Sequence, residues 1–566
     1  MTRRWSWRLA AVLGGVFLAI PAEPGDAGLS SAFESPSAPE RLAVGVGGST
    51  GAASGRADDR VASLQTALQA MLATGSRTEQ WSLMVTSVDQ GDTLVALNAD
   101  APMAPASNMK LFTSAAALHL LGPDFRFPTY LLADGPVVDG VLEGNLVLYG
   151  TGDPTLGTRS PANPSGAFAA FLEALEDAGI REVRGQVVGD AGYYTGDPRR
   201  PSWNPADLDN WFAAPVSALT FNENMVTLRV APEREVGLPT RIFTIPEGAN
   251  VPVRNESRVT ASGGPAVAIF RVDPDGPIQV VGTMRPREVE AWRTITVSDP
   301  SSYAASVFRV TLEAAGIPVA GSTGGGDVAP RAVSDRLLVA PAFGTDVELR
   351  TLAVHHSPPV SELIHPVNKR SHNLFAEMLL LAMGRVTGES PDFEGGARAL
   401  HRFLAEEVGV DAEALHVEDG SGLSRLNRTT ARDLVRILGY METSPHVEAF
   451  HASLPEAGNR RELGRMDRSA AAGNLRAKTG TIHRTSALSG TVRGANGERL
   501  LFSILVNNVP STWAAKRAED RVGIHLAGFS RGEMELPGAD GVAPGVRAVG
   551  GAMGATTLGV DGTDRP

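Results

Sequence analysis

The chain has 566 residues, 43% of them hydrophobic, and a formal net charge of −12. That apolar content supplies packed cores over several domains' worth of chain and excludes disorder throughout, while the acidic balance argues against nucleic acid or an anionic membrane surface as a partner. The absence of cysteine excludes disulfides, thiol catalysis and thiolate metal sites.

Arg3, Arg4 and Arg8 precede an apolar run over 9–20, and the small residues Ala22, Gly25 and Ala27 follow. This reads as a secretory signal over 1–27 and an exported, periplasmic or otherwise extracytoplasmic protein. The run is short for a membrane span of about 20 residues, with an uncleaved anchor as the alternative. No second stretch is long enough to span, so no stable membrane span is expected in the mature chain. Residues 28–56 and 536–566 are rich in small residues and poor in large apolar ones, and read as a disordered linker and tail.

Between them, Val61, Leu64, Leu68 and Met71 predict a helix over 60–73, and runs at 82–88 and 93–97 flank Asp89-Gln90-Gly91-Asp92 as a hairpin. Leu111, Phe112, Ala115, Ala116 and Leu118 form one face of a helix that starts near Ser107 and stops at Gly122-Pro123. Residues 126–345 are rich in Gly, Pro and short strand-like runs, and read as a β-rich insert of two nested lobes that splits the main domain into 57–125 and 346–535. A buried helix is predicted over 373–383. Strand-like runs follow at 475–482, 487–492 and 499–507, with Asn496-Gly497 as a hairpin signal, and then a closing helix over 513–529. The fold class is α+β, an α/β sandwich whose antiparallel sheet is built from both chain ends.

Only four lysines stand against 47 arginines, and two of them fall in Ser107-Asn108-Met109-Lys110 and Lys478-Thr479-Gly480. Lysine is the cation that sheds its proton on burial, whereas guanidinium stays charged, so lysine alone can serve as a base. Ser107 on a helical first turn has Lys110 on the same face, the arrangement of an activated serine nucleophile. Ser371-His372-Asn373, ahead of the buried helix, offers a hydroxyl for proton transfer and an amide for orienting substrate; its alternative is a helix cap. Lys478-Thr479-Gly480-Thr481 on an edge strand offers a cation and hydroxyls to a substrate carboxylate, with Gly480 allowing close backbone approach. Its alternative is an ordinary strand end.

Ser-x-x-Lys, Ser-x-Asn and Lys-Thr-Gly in this order resemble the serine β-lactamase and penicillin-binding superfamily. Within it the chain is similar to the S13 family of D-alanyl-D-alanine carboxypeptidase/endopeptidases, the penicillin-binding protein 4 type. That narrower resemblance rests on the large insert between Ser107 and Ser371 and on segments 149–156, 213–219 and 419–425. It implies Ser107 as nucleophile, Lys110 as its base, Ser371 as proton shuttle and Asn373 as holder of the substrate amide. Lys478, Thr479 and Thr481 are implied at the terminal carboxylate, and the backbone N–H groups of Ser107 and Thr481 at the oxyanion. The middle residue of Ser-x-Asn, often Asp in the family, is His372 here. By position, Asp207 and Arg425 look like the pair that meets a diaminopimelate-type side chain, with Phe212 walling the same pocket. Their alternatives are a solvated loop charge, a structural ion pair and a core residue. The implied partners are peptidoglycan peptides, with β-lactam antibiotics as inhibitors and no cofactor or metal. A serine β-lactamase is the rival enzyme, but no Glu-bearing motif of the class A kind stands between Ser371 and Lys478. A peptidoglycan-binding module is the rival outside enzymes.

Overall fold

The computed structural model describes residues 51–532 apart from 73–77, 158–163, 264–265, 322–323 and 326–348. The signal over 1–27, the linker up to residue 50, the tail from 536 and the end of the insert at 326–345 lie outside the described residues.

Helix α1 (Gly51–Leu72) starts well before the expected residue 60. Ala52 and Ala53 are strong helix formers, so the last residues assigned to the linker extend the helix without large apolar side chains. A hairpin of β1 (Gln80–Ser87) and β2 (Thr93–Leu97) follows, then a 3₁₀ turn at Ala106–Asn108 that runs directly into α2 (Met109–Leu120). Ser107 thus sits on the 3₁₀ turn rather than in the α-helix proper.

The inserted region contains β3 (Pro128–Ala133), β4 (Leu146–Gly150), α3 (Ala169–Asp177), β5 (Val187–Asp190) and β6 (Met225–Ala231). It continues with β7 (Arg241–Ile245), β8 (Ala266–Phe270), β9 (Ile278–Met284), β10 (Ala291–Thr296), α4 (Pro300–Ala314) and β11 (Arg350–His356). Strand β11 pairs antiparallel with β3, so the insert's sheet runs past the expected boundary at 345, to His356. One principal apolar core, from Leu131 to Val319, joins β6 and β9 to α4. The expected two lobes therefore share a core. The cause is α4, whose buried Tyr303, Val307 and Phe308 share one cluster with Leu131 of β3, Leu148 of β4, Val226 of β6 and Val280 of β9.

The main domain resumes with α5 (Val360–Lys369), α6 (Asn373–Val386), α7 (Phe393–Phe403), α8 (Ala431–Thr443) and α9 (Val447–Ser453). It ends with β12 (Arg476–Ile482), β13 (Thr485–Arg493), β14 (Arg499–Asn507) and α10 (Thr512–Gly528). The five-stranded sheet has the order β12-β13-β14-β1-β2, with β1 paired antiparallel to β14 from Gln80↔Asn507 to Ser87↔Leu500. Period-2 alternation divides its faces. Leu83, Val85, Phe502 and Ile504 pack under α1 and α10, while Met84, Leu501 and Leu505 face the helical block that includes α2, α6 and α8. Among the described residues no helix is long and apolar enough to cross a membrane.

The insert positions a loop over the main domain. Two 3₁₀ turns, Pro205–Asp207 and Trp211–Ala213, flank Asp209. The Asp209 carboxylate accepts from the Arg271 backbone N–H at 3.0 Å and its guanidinium at 3.3 Å. The Arg271 side chain is 2% exposed. Removing one partner of such a pair leaves a buried charge uncompensated. Asp209→Ala is expected to destabilise the fold by about 3–5 kcal/mol, read as a lower thermal midpoint. An unchanged midpoint would show that Arg271 does not need its carboxylate.

Candidate active site

The approach to Ser107 is fixed from two sides. Asn507, the last residue of β14, holds the Ala104 backbone N–H and C=O at 3.0 and 3.1 Å. On the other side Gly480 of β12 comes so close to the 3₁₀ turn that a Cβ would lie 2.9 Å from the Pro105 carbonyl oxygen and 3.1 Å from Ala106 Cβ. The glycine of Lys-Thr-Gly thus allows the edge strand to pack against the turn that carries Ser107. Ala106 has φ +48, a left-handed conformation that is strained for alanine.

Lys110 is fully buried on the first turn of α2. Its Nζ lies 3.1 Å from Ser107 Oγ, 2.6 Å from Asn373 Oδ1 and 2.6 Å from the Ser421 carbonyl oxygen. The last two groups are pure acceptors and take two N–H bonds. A neutral amine has only two N–H groups, so its lone pair is left for the Ser107 hydroxyl. Burial pushes the ammonium down to about 7, against the opposing charges of Glu377 and Asp419. Both carboxylates are occupied by a loop. Glu377 accepts from the Gly420 and Ser421 backbone N–H groups at 2.8 and 2.9 Å. Asp419 accepts from the Gly422 and Ser424 backbones and from Trp203 Nε1, at 2.7, 2.6 and 2.9 Å. Burial and the neighbouring Asp419 push the Glu377 carboxyl up. Gly422, at φ +78, has the Ala106 carbonyl oxygen 1.8 Å from where a Cβ would stand.

The Ser371 hydroxyl accepts from Lys478 Nζ at 3.0 Å, and Ser371 itself has φ +55. The helix-cap alternative does not describe this motif: the cap position of α6 is His372, which makes no side-chain cap bond, and the Asn373 side chain bridges Lys110 and the Phe212 carbonyl oxygen at 2.6 Å. Lys478 is also fully buried, donating to the Thr479 carbonyl oxygen at 2.7 Å. Burial, with Lys110 nearby, holds it well below the usual lysine range. Its amine therefore stands behind Ser371 instead of facing the cleft.

A cleft of about 800 Å³ opens over this cluster. Ser107, Ser371, Asn373, Thr479 and Thr481 line it, as do Asp207, Phe212 and Arg425. The buried Lys110 and Lys478 and the packed Gly480 lie behind that surface. Arg425 is exposed and forms no ion pair among the described residues, so the structural-pair alternative does not describe it. Phe212 both lines the cleft and packs on the main core. Sequence reasoning missed Trp211, Arg370, Leu423 and His483, which also line the cleft, and Glu377 beneath it. Glu377 had a signal, as the only charge in the apolar run from Asn373 to Met383. No group of His, Asp and Glu suited to a metal ion is found among the described residues.

Comparison with known proteins gives this geometry its family. The family model of the D-Ala-D-Ala carboxypeptidase 3 (S13) family matches residues 64–527. A D-alanyl-D-alanine carboxypeptidase of Actinomadura sp. (strain R39) is 34% identical over 463 residues, covering 79% of this chain and 81% of the relative. The D-alanyl-D-alanine carboxypeptidase DacB of Haemophilus influenzae is 26% identical over 429 residues, 74% of this chain and 84% of its own. Crystalline penicillin binding protein 4 from Haemophilus influenzae superposes with a TM-score of 0.67 at 23% identity, over 82% of this chain and 99% of that one, and shares the fold. The chain belongs to the D-Ala-D-Ala carboxypeptidase 3 (S13) family and is a serine-type DD-peptidase with an α+β fold.

Proposed function

We propose that Ser107, Lys110, Ser371, Asn373 and Lys478 are the machinery with which this DD-peptidase cleaves the D-Ala–D-Ala and cross-link bonds of peptidoglycan peptides. The observation that carries the assignment is the Lys110 amine, 3.1 Å from Ser107 Oγ with its other two partners fixed as acceptors. Ser107 Oγ attacks the carbonyl of the scissile bond while Lys110 takes the hydroxyl proton. The backbone N–H groups of Ser107 and Thr481 receive the developing oxyanion. Ser371, polarised by Lys478 at 3.0 Å, passes a proton to the leaving amine. Water then hydrolyses the Ser107 ester.

The remaining cleft residues sort the substrate. Thr479 and Thr481 hold the terminal carboxylate by their hydroxyls, and Asn373 the substrate amide. Asp207 and Arg425, of opposite charge and both without an ion pair among the described residues, meet the amine and carboxylate of a diaminopimelate-type side chain, with Phe212 as the wall. Penicillin and related β-lactams acylate Ser107 as substrate mimics. The basic and apolar start of the chain supports export to the periplasm or cell exterior, where peptidoglycan lies.

Intact-mass analysis after incubation with benzylpenicillin, mapped to a peptide, tests the assignment. A slowly released adduct on Ser107 is expected, and none in Ser107→Ala, whose thermal midpoint stays near wild type. An adduct that persists in that variant moves the nucleophile elsewhere, and fast release with drug hydrolysis identifies a β-lactamase. Lys110→Arg keeps a cation but loses the sheddable proton, and is expected to lower kcat/KM by about 10²–10⁴-fold. Because the neutral amine is the active form, acylation of the wild type should rise with pH through about 7 and level off above it. A flat profile from pH 5 to 9, measured by stopped-flow acylation, would remove Lys110 from the base role.

A further inference from the structure

Next to the cleft lies a second cavity of about 450 Å³, within the range of small-ligand and peptide sites. Its floor is apolar, from Leu363 and Pro366 of α5 and Phe375 of α6. Toward the cleft its wall is made by Arg370 and His372, the two neighbours of Ser371. Arg370 lines both cavities. The His372 ring meets the Glu223 carboxylate at 2.8 Å and packs edge-on against Trp211, with ring centroids 5.6 Å apart.

The charges of the second cavity are incompletely matched. Glu223 is paired with His372, and Glu462 with Lys369 at 2.8 Å. The guanidiniums of Arg370 and Arg461 have no side-chain hydrogen bond or ion pair among the described residues; the charge of Arg370 also acts on Glu223, and Glu362 is the carboxylate of the cavity without an ion pair among those residues. Two forked donors above an apolar floor suit a ligand that carries carboxylates on a partly apolar peptide.

The position is equally specific. The cleft extends along β12 from Thr479 to Ile482 and on to His483 just beyond the strand, whereas the second cavity adjoins the site on the Ser371 side. Ser371 delivers the proton to the leaving amine in the acyl-transfer reading above, on which this inference rests. What is attached to that amine beyond the carboxylate held by Thr479 and Thr481 therefore extends past Ser371 toward Arg370. For a carboxypeptidase substrate that is only a methyl side chain; for a cross-linked substrate it is a second peptide strand.

We propose that the second cavity binds the leaving strand of cross-linked peptidoglycan, an acidic peptide held by Arg370 and Arg461. In that reaction the C–N bond between the donor carbonyl and the strand's amine breaks as the Ser107 Oγ–C bond forms. The hydroxyl proton passes through Lys110 and Ser371 to the departing nitrogen. Water then cleaves the ester to a carboxylic acid and restores the serine hydroxyl, so no other reactant is required.

The test compares two substrates on the full chain: a monomeric stem pentapeptide ending in D-Ala–D-Ala, and a muropeptide dimer cross-linked through D-Ala. Arg461 is exposed and lines the second cavity but not the cleft. Arg461→Gln is expected to raise KM for the dimer about tenfold, to leave kcat for both substrates and KM for the monomer unchanged, and Arg461→Lys to recover part of the loss. An unchanged dimer KM, or an equal rise for both substrates, overturns the proposal. A wild type that hydrolyses the monomer but not the dimer overturns it too and leaves the peptidase assignment standing, while failure on both substrates removes that assignment and the proposal with it.

Discussion

The burial of one amine organises this molecule. An isolated ammonium in an apolar interior costs so much that such groups shift their proton affinity or recruit counter-charges. Lys110 does both. Glu377 and Asp419 are buried near enough to oppose the loss of its proton, yet their oxygens are occupied by backbone N–H groups of the 419–424 loop. They temper the amine without bonding to it. Its direct partners come from three separate stretches of chain, the 3₁₀ turn, the start of α6 and the Ser421 loop, so its geometry depends on all three being docked.

That docking is maintained against local backbone preference. Ala106 and Ser371 both have left-handed φ, each at a cost of about 1–3 kcal/mol, and both adjoin or constitute a reactive position. Asn507, Gly480 and Gly422 hold the first conformation through contacts that leave no room for a larger residue or a shifted turn. The second is held from the insert: Glu223 lies in a turn in which Asn222, Glu223 and Asn224 all have positive φ, and it reaches across to His372. The insert is thereby a structural part of the active site, through Glu223 and through the Phe212 carbonyl that orients Asn373.

Much of this was legible in the residues alone. The apolar runs at 82–88 and 499–507, which the sheet buries on both faces, and the spacing of 111–118 are local signals, and they describe strands and a helix whose ends differ from expectation by a few residues. Lysine scarcity isolated Lys110 and Lys478 because an amine and a guanidinium are chemically different, which composition can reveal. What depended on non-local pairing was not legible. That β11 joins β3 follows from hydrogen bonds between segments far apart in sequence, and the shared core of the insert follows from where α4 docks. Lys478 reads equally well as a carboxylate ligand or a buried partner of Ser371 until its burial is known. Arg370 has no sequence signal, because its importance comes from standing between two cavities.

The sheet order β12-β13-β14-β1-β2 also dictates a timetable for biogenesis. As the chain emerges from its N-terminus, the β1–β2 hairpin is made early, while β14, whose Asn507 pairs with Gln80, arrives only near the end. An isolated hairpin is marginal in water, so the open edge of β1 waits for its neighbour with its hydrogen-bonding groups unpaired. The insert, with a principal core contained between Leu131 and Val319, is free to condense in the meantime. Nascent intermediates should therefore consist of an ordered insert flanked by an unfinished catalytic half, and the catalytic half, not the insert, is where a holdase would be needed.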